Sequence, residues 1–77
     1  MPELWEYPVE VQRDGSNGRR CVRNSRDAIA SLSTDFPKGG KEAKQARKIC
    51  LSALEGRSDT ESAAAAFRTA AEAAGIL

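Results

Sequence analysis

The last twenty residues of the chain constrain its fold more than any other stretch, because they hold a start signal, a buried face and a stop signal for one helix. Ser58-Asp59-Thr60-Glu61 has the spacing of a capping box, in which Ser58 accepts from the Glu61 amide while the Glu61 side chain returns to the Ser58 amide. Loss of such a cap typically costs about 1 kcal/mol. Beyond it Ala63, Ala66, Phe67, Ala70 and Ala74 recur at helical intervals, with Arg68 and Glu72 opposite. Gly75-Ile76 suits a left-handed C-terminal cap whose following apolar residue folds back on the last turn. The spacing predicts a helix over about residues 59–74, with alanines small enough to let another helix approach closely.

Two further helices and two strands follow from the same reasoning. Over about 41–55, Ala43, Ala46, Cys50, Ala53 and Leu54 form an inward stripe, Lys44, Lys48, Ser52 and Glu55 face out, and Gly56 is the expected stop. Over about 25–33, Asn24 or Ser25 caps the start, Asp27 sits in the first turn, and Ala28, Ile29 and Leu32 share a face. Phe36-Pro37 closes that helix, since proline disfavours helical geometry at the residue before it, and Lys38-Gly39-Gly40 forms a joint. Upstream, Trp5, Tyr7, Val9 and Val11 alternate with Glu6, Glu10 and Gln12, the period of a half-buried strand over about 5–13. Pro8 lacks an amide hydrogen, so this strand belongs at a sheet edge, or Pro8 faces away from its neighbour. Residues 14–18, Asp-Gly-Ser-Asn-Gly, make a hairpin loop into a second strand over about 19–23. A lone two-stranded ribbon is marginal in water, so its Trp5, Tyr7, Val9 and Val11 face must rest on the helices or gain strands from a second copy. The expected fold is α+β, an N-terminal β-hairpin packed on three α-helices in the order β-β-α-α-α, as a single domain over 1–77.

At 77 residues such a domain buries only about 60% of the surface of its unfolded chain, which leaves little room for a deep pocket. Aromatic residues are 5% of the sequence, so the core must be mostly aliphatic and alanine. Histidine is absent, which removes the commonest proton-transfer side chain and every Ser-His or Cys-His nucleophile. Two cysteines far apart in sequence, Cys21 and Cys50, suit neither a disulfide framework nor a zinc set. No cofactor or metal is expected. No apolar run reaches the length of a membrane span and the first residues do not read as a signal peptide, so the expected location is the cytoplasm.

Charge is segregated along the chain although the net value is only +1. Residues 1–12 carry Glu3, Glu6 and Glu10 with no cation, whereas residues 13–26 carry five arginines against Asp14. Arg19, Arg20, Arg23 and Arg26 are the sharpest candidate binding constellation, because guanidinium forks suit phosphate or carboxylate groups. Their structural alternative is a solvated strand whose charges protect a sheet edge and pair with Glu6 and Glu10. Residues 38–48, with Lys38, Lys41, Lys44, Arg47 and Lys48 against Glu42, read as a solvated helix face. Gly39-Gly40-Lys41 lacks the rest of a phosphate-binding loop. Cys50 belongs to an inner stripe, while Cys21, if Val22 points inward, points outward between Arg19 and Arg23, flanked by cations that favour a thiolate. No catalytic pair of carboxylates is evident.

Trp5, Pro8-Val9, Val11, Arg20-x-Val22, Ala28, Leu32, Phe36-Pro37, Cys50, Ala53-Leu54-x-Gly56, Ala66-Phe67 and the run from Ala70 to Ile76 make a pattern that covers nearly the whole chain. It resembles the family known as domain of unknown function 982, small proteins of soil bacteria related to rhizobia. Phe36 stands where the family pattern has tryptophan before proline, and Ala64 lies near a position where arginine is common. The resemblance implies no activity, cofactor or partner. The residues themselves favour a non-enzymatic protein-interaction or regulatory module, docking a partner or a second copy through the hairpin edge and its arginine face. The alternative is a nucleic-acid-binding protein that uses Arg19, Arg20, Arg23 and the basic helix over Lys41 to Lys48.

Overall fold

Regular strand forms where Val9 and Val11 alternate with Glu10 and Gln12, giving β1 (Val9–Gln12), and in the segment that pairs with it, β2 (Arg19–Val22). They pair antiparallel with Val9 opposite Val22, Glu10 opposite Cys21, Val11 opposite Arg20 and Gln12 opposite Arg19. Three helices follow, α1 (Ser25–Thr34), α2 (Lys41–Leu54) and α3 (Thr60–Ala74), so the architecture is α+β in the order β-β-α-α-α. The computed structural model describes residues 4–12, 18–34, 36 and 40–77. Arg13 at the expected end of the first strand, residues 14–17 of the hairpin loop, Pro37 as a helix stop and the joint at 38–39 lie outside the described residues.

Among the described residues, four of the six helix ends have an identifiable chemical cause. The Asn24 side-chain oxygen accepts from the Asp27 amide at 2.7 Å and starts α1. α2 ends in a Schellman turn, where Gly56 takes φ 80°, its amide donates to the Ala53 carbonyl, and the Arg57 amide donates to the Ser52 carbonyl. The same motif ends α3: Gly75 has φ 74° and the Ile76 amide donates to the Ala71 carbonyl, which folds the Ile76 side chain onto the core.

The start of α3 differs from the expected capping box. Asp59, not Ser58, is the capping residue, and its carboxylate accepts from the Ser62 amide at 2.7 Å. The turn after α2 ties Arg57 back to Ser52, and Asp59 is still extended at φ −81° and ψ 163°, so helical geometry begins only at Thr60. That one-residue shift puts Ser62 at the third helical position and Glu61 at the second, out of register for the box.

The core is a cluster of aromatic rings set in small residues. Phe67 of α3 is fully buried, with its ring centroid 5.8 Å from that of Trp5 and 5.6 Å from that of Phe36, in tilted and edge-on contacts. Val9, Val11 and Val22 close one side from the inner face of the ribbon, and Ala28, Ala46, Cys50, Ala63, Ala70 and Ala71 close the others. α2 passes so near α3 that the Cys50 thiol lies 3.9 Å from the Ala63 carbonyl oxygen. Cys50 acts there as a small hydrophobe.

Two expected core residues are outside it. Tyr7 is 72% exposed, because residues 6 and 7 form a bend and regular strand begins only after Pro8. The parity of Val9 and Val11 therefore does not extend back to Tyr7, and Trp5 reaches the interior separately, its amide donating to the Arg23 carbonyl at 2.7 Å. Leu54 is 49% exposed. At about 100° per residue it lies well round the helix from Ala53, at the edge of the buried stripe, and it is the last residue of the helix. Ile49 packs against the core instead.

Candidate functional site

The ribbon sorts the candidate arginines onto two faces. Side chains alternate across a strand. Arg20, opposite buried Val11, is half-buried on the inner side, whereas Arg19 and Arg23 are exposed on the outer side with Cys21 between them. Arg26 is exposed in the first turn of α1. Arg19, Arg23 and Arg26 are thus at the surface, and Arg20 is not on the outer face with them. Arg19 Nε lies 3.5 Å from Glu10 Oε1, both side chains more than half exposed, so the pair contributes at most about 1 kcal/mol. Glu10 also stands directly across the ribbon from the exposed Cys21, placing a carboxylate beside the thiol that the sequence surrounds with cations.

The outer edge of β1 has little backbone to offer a partner strand. The Gln12 amide donates to the Ile76 carbonyl at 2.7 Å, so the segment after α3 covers that end of the strand. Pro8, two residues before Glu10, has no amide hydrogen. Because outward-facing backbone groups alternate along an edge strand, Glu10 is the residue between them whose groups face out.

A groove that the sequence does not announce lies on the other side of the N-terminal segment. It runs between residues 4–7 and the outer side of α3, with a volume of about 760 Å³, lined by Leu4, Trp5, Tyr7, Val9, Ala64, Ala65 and Arg68 and edged by Glu6, Thr60 and Glu61. Burial of Trp5 against Phe67 anchors the segment, and the bend at residues 6 and 7 holds Tyr7 out. Leu4 is exposed on the same segment. The walls are apolar and the rim carries both charges, with Glu61 and Arg68 about 10 Å apart along the helix axis. An open trough of this kind takes an elongated segment more readily than it encloses a small molecule. Two adjacent apolar residues, Leu4-Trp5, followed by Pro8, were the available sequence signal: they cannot both follow one alternating face.

Among the described residues the carboxylates have local structural roles or face solvent. Asp59 is held below its ordinary carboxylate value by hydrogen bonds from the Ser62 hydroxyl and from the Ser62 backbone amide. Among the described residues no three of Cys, Asp and Glu converge as a metal site, and no helix is long and apolar enough to cross a membrane.

Residues 7–77 match the model of a family described as "Protein of unknown function (DUF982)". No curated protein and no solved structure matches the chain.

Proposed function

Because the chain belongs to the DUF982 family, whose description assigns no activity, we propose from its geometry that it is a non-enzymatic protein-interaction module, taking an apolar segment of a partner into the groove between residues 4–7 and α3. The observation that carries this reading is the display of Tyr7 and Leu4, each more than two-thirds exposed, on a segment that the buried Trp5 holds in place. A large aromatic ring on a rigid mount gives contact area at low entropic cost, which is why tyrosine is enriched at protein interfaces. Edge-to-edge pairing of two copies draws less support, since the Ile76 carbonyl already takes the Gln12 amide.

The test is site-specific photo-crosslinking in cells, with a benzophenone amino acid at Tyr7, at Leu4 or, as a control, at the exposed Glu72 of α3. A discrete adduct formed from positions 7 and 4 and absent from position 72 is expected, and Arg68→Glu should weaken it. Equal adducts from all three positions, or none from positions 7 and 4, would refute the groove as the contact surface.

A further inference from the structure

The outward face of α2 combines cations and leucines in one stripe. Lys44, Arg47, Lys48, Leu51 and Leu54 follow the three-and-four spacing of a single helix face and all are exposed, with Leu51 at 45%. Lys41 extends the stripe by a turn. Among the described residues none of these cations has a carboxylate within ion-pair distance, and Glu55, at the leucine end, is taken by Arg57 at 3.8 Å. Ordinary solvated faces carry interspersed charges of both signs. Here one sign runs for two turns and then gives way to two large apolar side chains. The opposite side of the helix, through Ala46 and Cys50, is locked into the core, so α2 cannot roll to present a different face.

We infer that this face binds an acidic amphipathic helix of a partner protein, whose carboxylates oppose Lys44, Arg47 and Lys48 and whose apolar residues cover Leu51 and Leu54. Charge complementarity selects the acidic partner, and the leucines select a protein. A nucleic acid would meet the cations but would set phosphates against Leu51 and Leu54, and α2 carries no aromatic side chain on which bases could stack. An anionic bilayer requires apolar and basic residues side by side along the helix, whereas here they follow one another along the axis. α2 is 14 residues long, about 21 Å, which matches a partner helix of about four turns. The inference rests on the interaction role proposed above but uses a face remote from Tyr7 in sequence and element.

The experiment is fluorescence anisotropy of the whole protein with a labelled synthetic helical peptide bearing glutamates and leucines at the matching spacing. Comparison probes are a scrambled peptide of the same composition, a lysine-for-glutamate version, a mixed-sequence single-stranded DNA and phosphatidylcholine–phosphatidylglycerol vesicles. Binding of the acidic helical peptide alone is expected, weakening at least about 10-fold in Lys44→Glu/Lys48→Glu and falling as salt is raised. Leu51→Ser/Leu54→Ser should weaken it also. Both double variants change exposed side chains, and unchanged far-ultraviolet circular dichroism confirms their fold. Tyr7→Ser should bind the peptide as the parent does. Equal binding of the scrambled peptide, binding of DNA indifferent to the leucine variant, binding of vesicles without the peptide, or no binding at all would each overturn the inference. If peptide binding fails while crosslinks from position 7 persist, this face alone is disproved. If the reverse holds, the groove is.

Discussion

Replacing Phe67 tests the core and the groove together. The ring is fully buried and makes two aromatic contacts, with Trp5 and Phe36. Such contacts contribute about 0.5–1.5 kcal/mol each beyond burial, and truncating a buried phenylalanine to alanine costs about 3–5 kcal/mol. For a chain of 77 residues the whole stability is about 4–12 kcal/mol. Phe67→Ala therefore removes a quarter or more of it, and with Phe36 and Trp5 as the only other buried rings there is little bulk nearby to refill the space. Phe67→Leu keeps most of the volume and loses chiefly the two ring contacts, about 1–3 kcal/mol. In a domain of this size each kcal/mol moves the melting temperature by about 4–8 °C. Trp5 is the sole tryptophan, so its emission reports directly on the contact. Urea and thermal melts followed by Trp5 fluorescence should show Phe67→Leu folded at a lowered midpoint, and Phe67→Ala marginal or unfolded with red-shifted emission. Parental melting and an unshifted Trp5 spectrum in Phe67→Ala would show that Trp5 does not rest on Phe67, and the anchoring of residues 4–7 would fall with it.

Gly75→Ala and Gly56→Ala should each destabilise by roughly 1–2 kcal/mol in denaturant melts, because φ is positive at both and an added Cβ meets no neighbouring atom, leaving backbone strain as the whole effect. Ser31→Ala should raise stability by about 1 kcal/mol in the same assay, since the Ser31 hydroxyl is buried in α1 with no hydrogen-bond partner among the described residues. Asp59 makes stability depend on pH with a definite sign. Its folded pKa is depressed by the Ser62 hydrogen bonds, so its contribution is complete above the ordinary aspartate range and is lost as pH falls through the lowered value. Asp59→Asn keeps a capping side chain without the titration. The melting temperature of the parent relative to Asp59→Asn should therefore be constant near neutrality and decline toward about pH 2, and a difference that stays flat to that pH would rule out the linkage.

Local signals were legible in the sequence where a single residue decides an outcome. Gly75 followed by Ile76 specifies its own cap because only a residue tolerant of positive φ continues that turn, and Val9 and Val11 fix the inward parity of β1 without help from the rest of the chain. The split of Arg19 from Arg20 follows from the same parity. The signals failed where two residues compete or where the neighbour is remote. Ser58 and Asp59 are both good caps, and the choice belongs to the turn that ties Arg57 to Ser52. Tyr7 shares the apolar parity of Val9, yet the bend before Pro8 breaks the register between them. The groove unites residues 4–7 with Thr60 to Arg68, at opposite ends of the chain, so no local pattern contains it. The face of α2 was half legible: the cations read as solvated, and the exposure of Leu51 and Leu54 appears only once the buried stripe is seen to centre on Ala46 and Cys50.

That choice of small residues has a consequence for the surface. α2 and α3 meet through Ala46, Cys50 and Ala63 at a separation that brings sulfur within 3.9 Å of a backbone carbonyl, so a leucine at the same height would hold the helices apart. Bulk is supplied instead by Trp5, Phe36 and Phe67 at one end of the core and by the ribbon valines. Leu51 and Leu54 of α2 are left outside, as are Leu4 before β1 and Leu77 after α3. Single exposed leucines need no explanation, but those on α2 continue a run of cations that have no ion-pair partner among the described residues, and Leu4 flanks a groove beside Tyr7. The two surfaces depend on different parts of the interior: the groove on the aromatic cluster that seats Trp5, the α2 face on the alanine contact that fixes the rotation of the helix. Loosening the aromatic cluster by a substitution mild enough to leave the domain folded, such as Phe67→Leu, should therefore weaken the groove before it disturbs the basic stripe, which makes the two proposed roles separable by mutation.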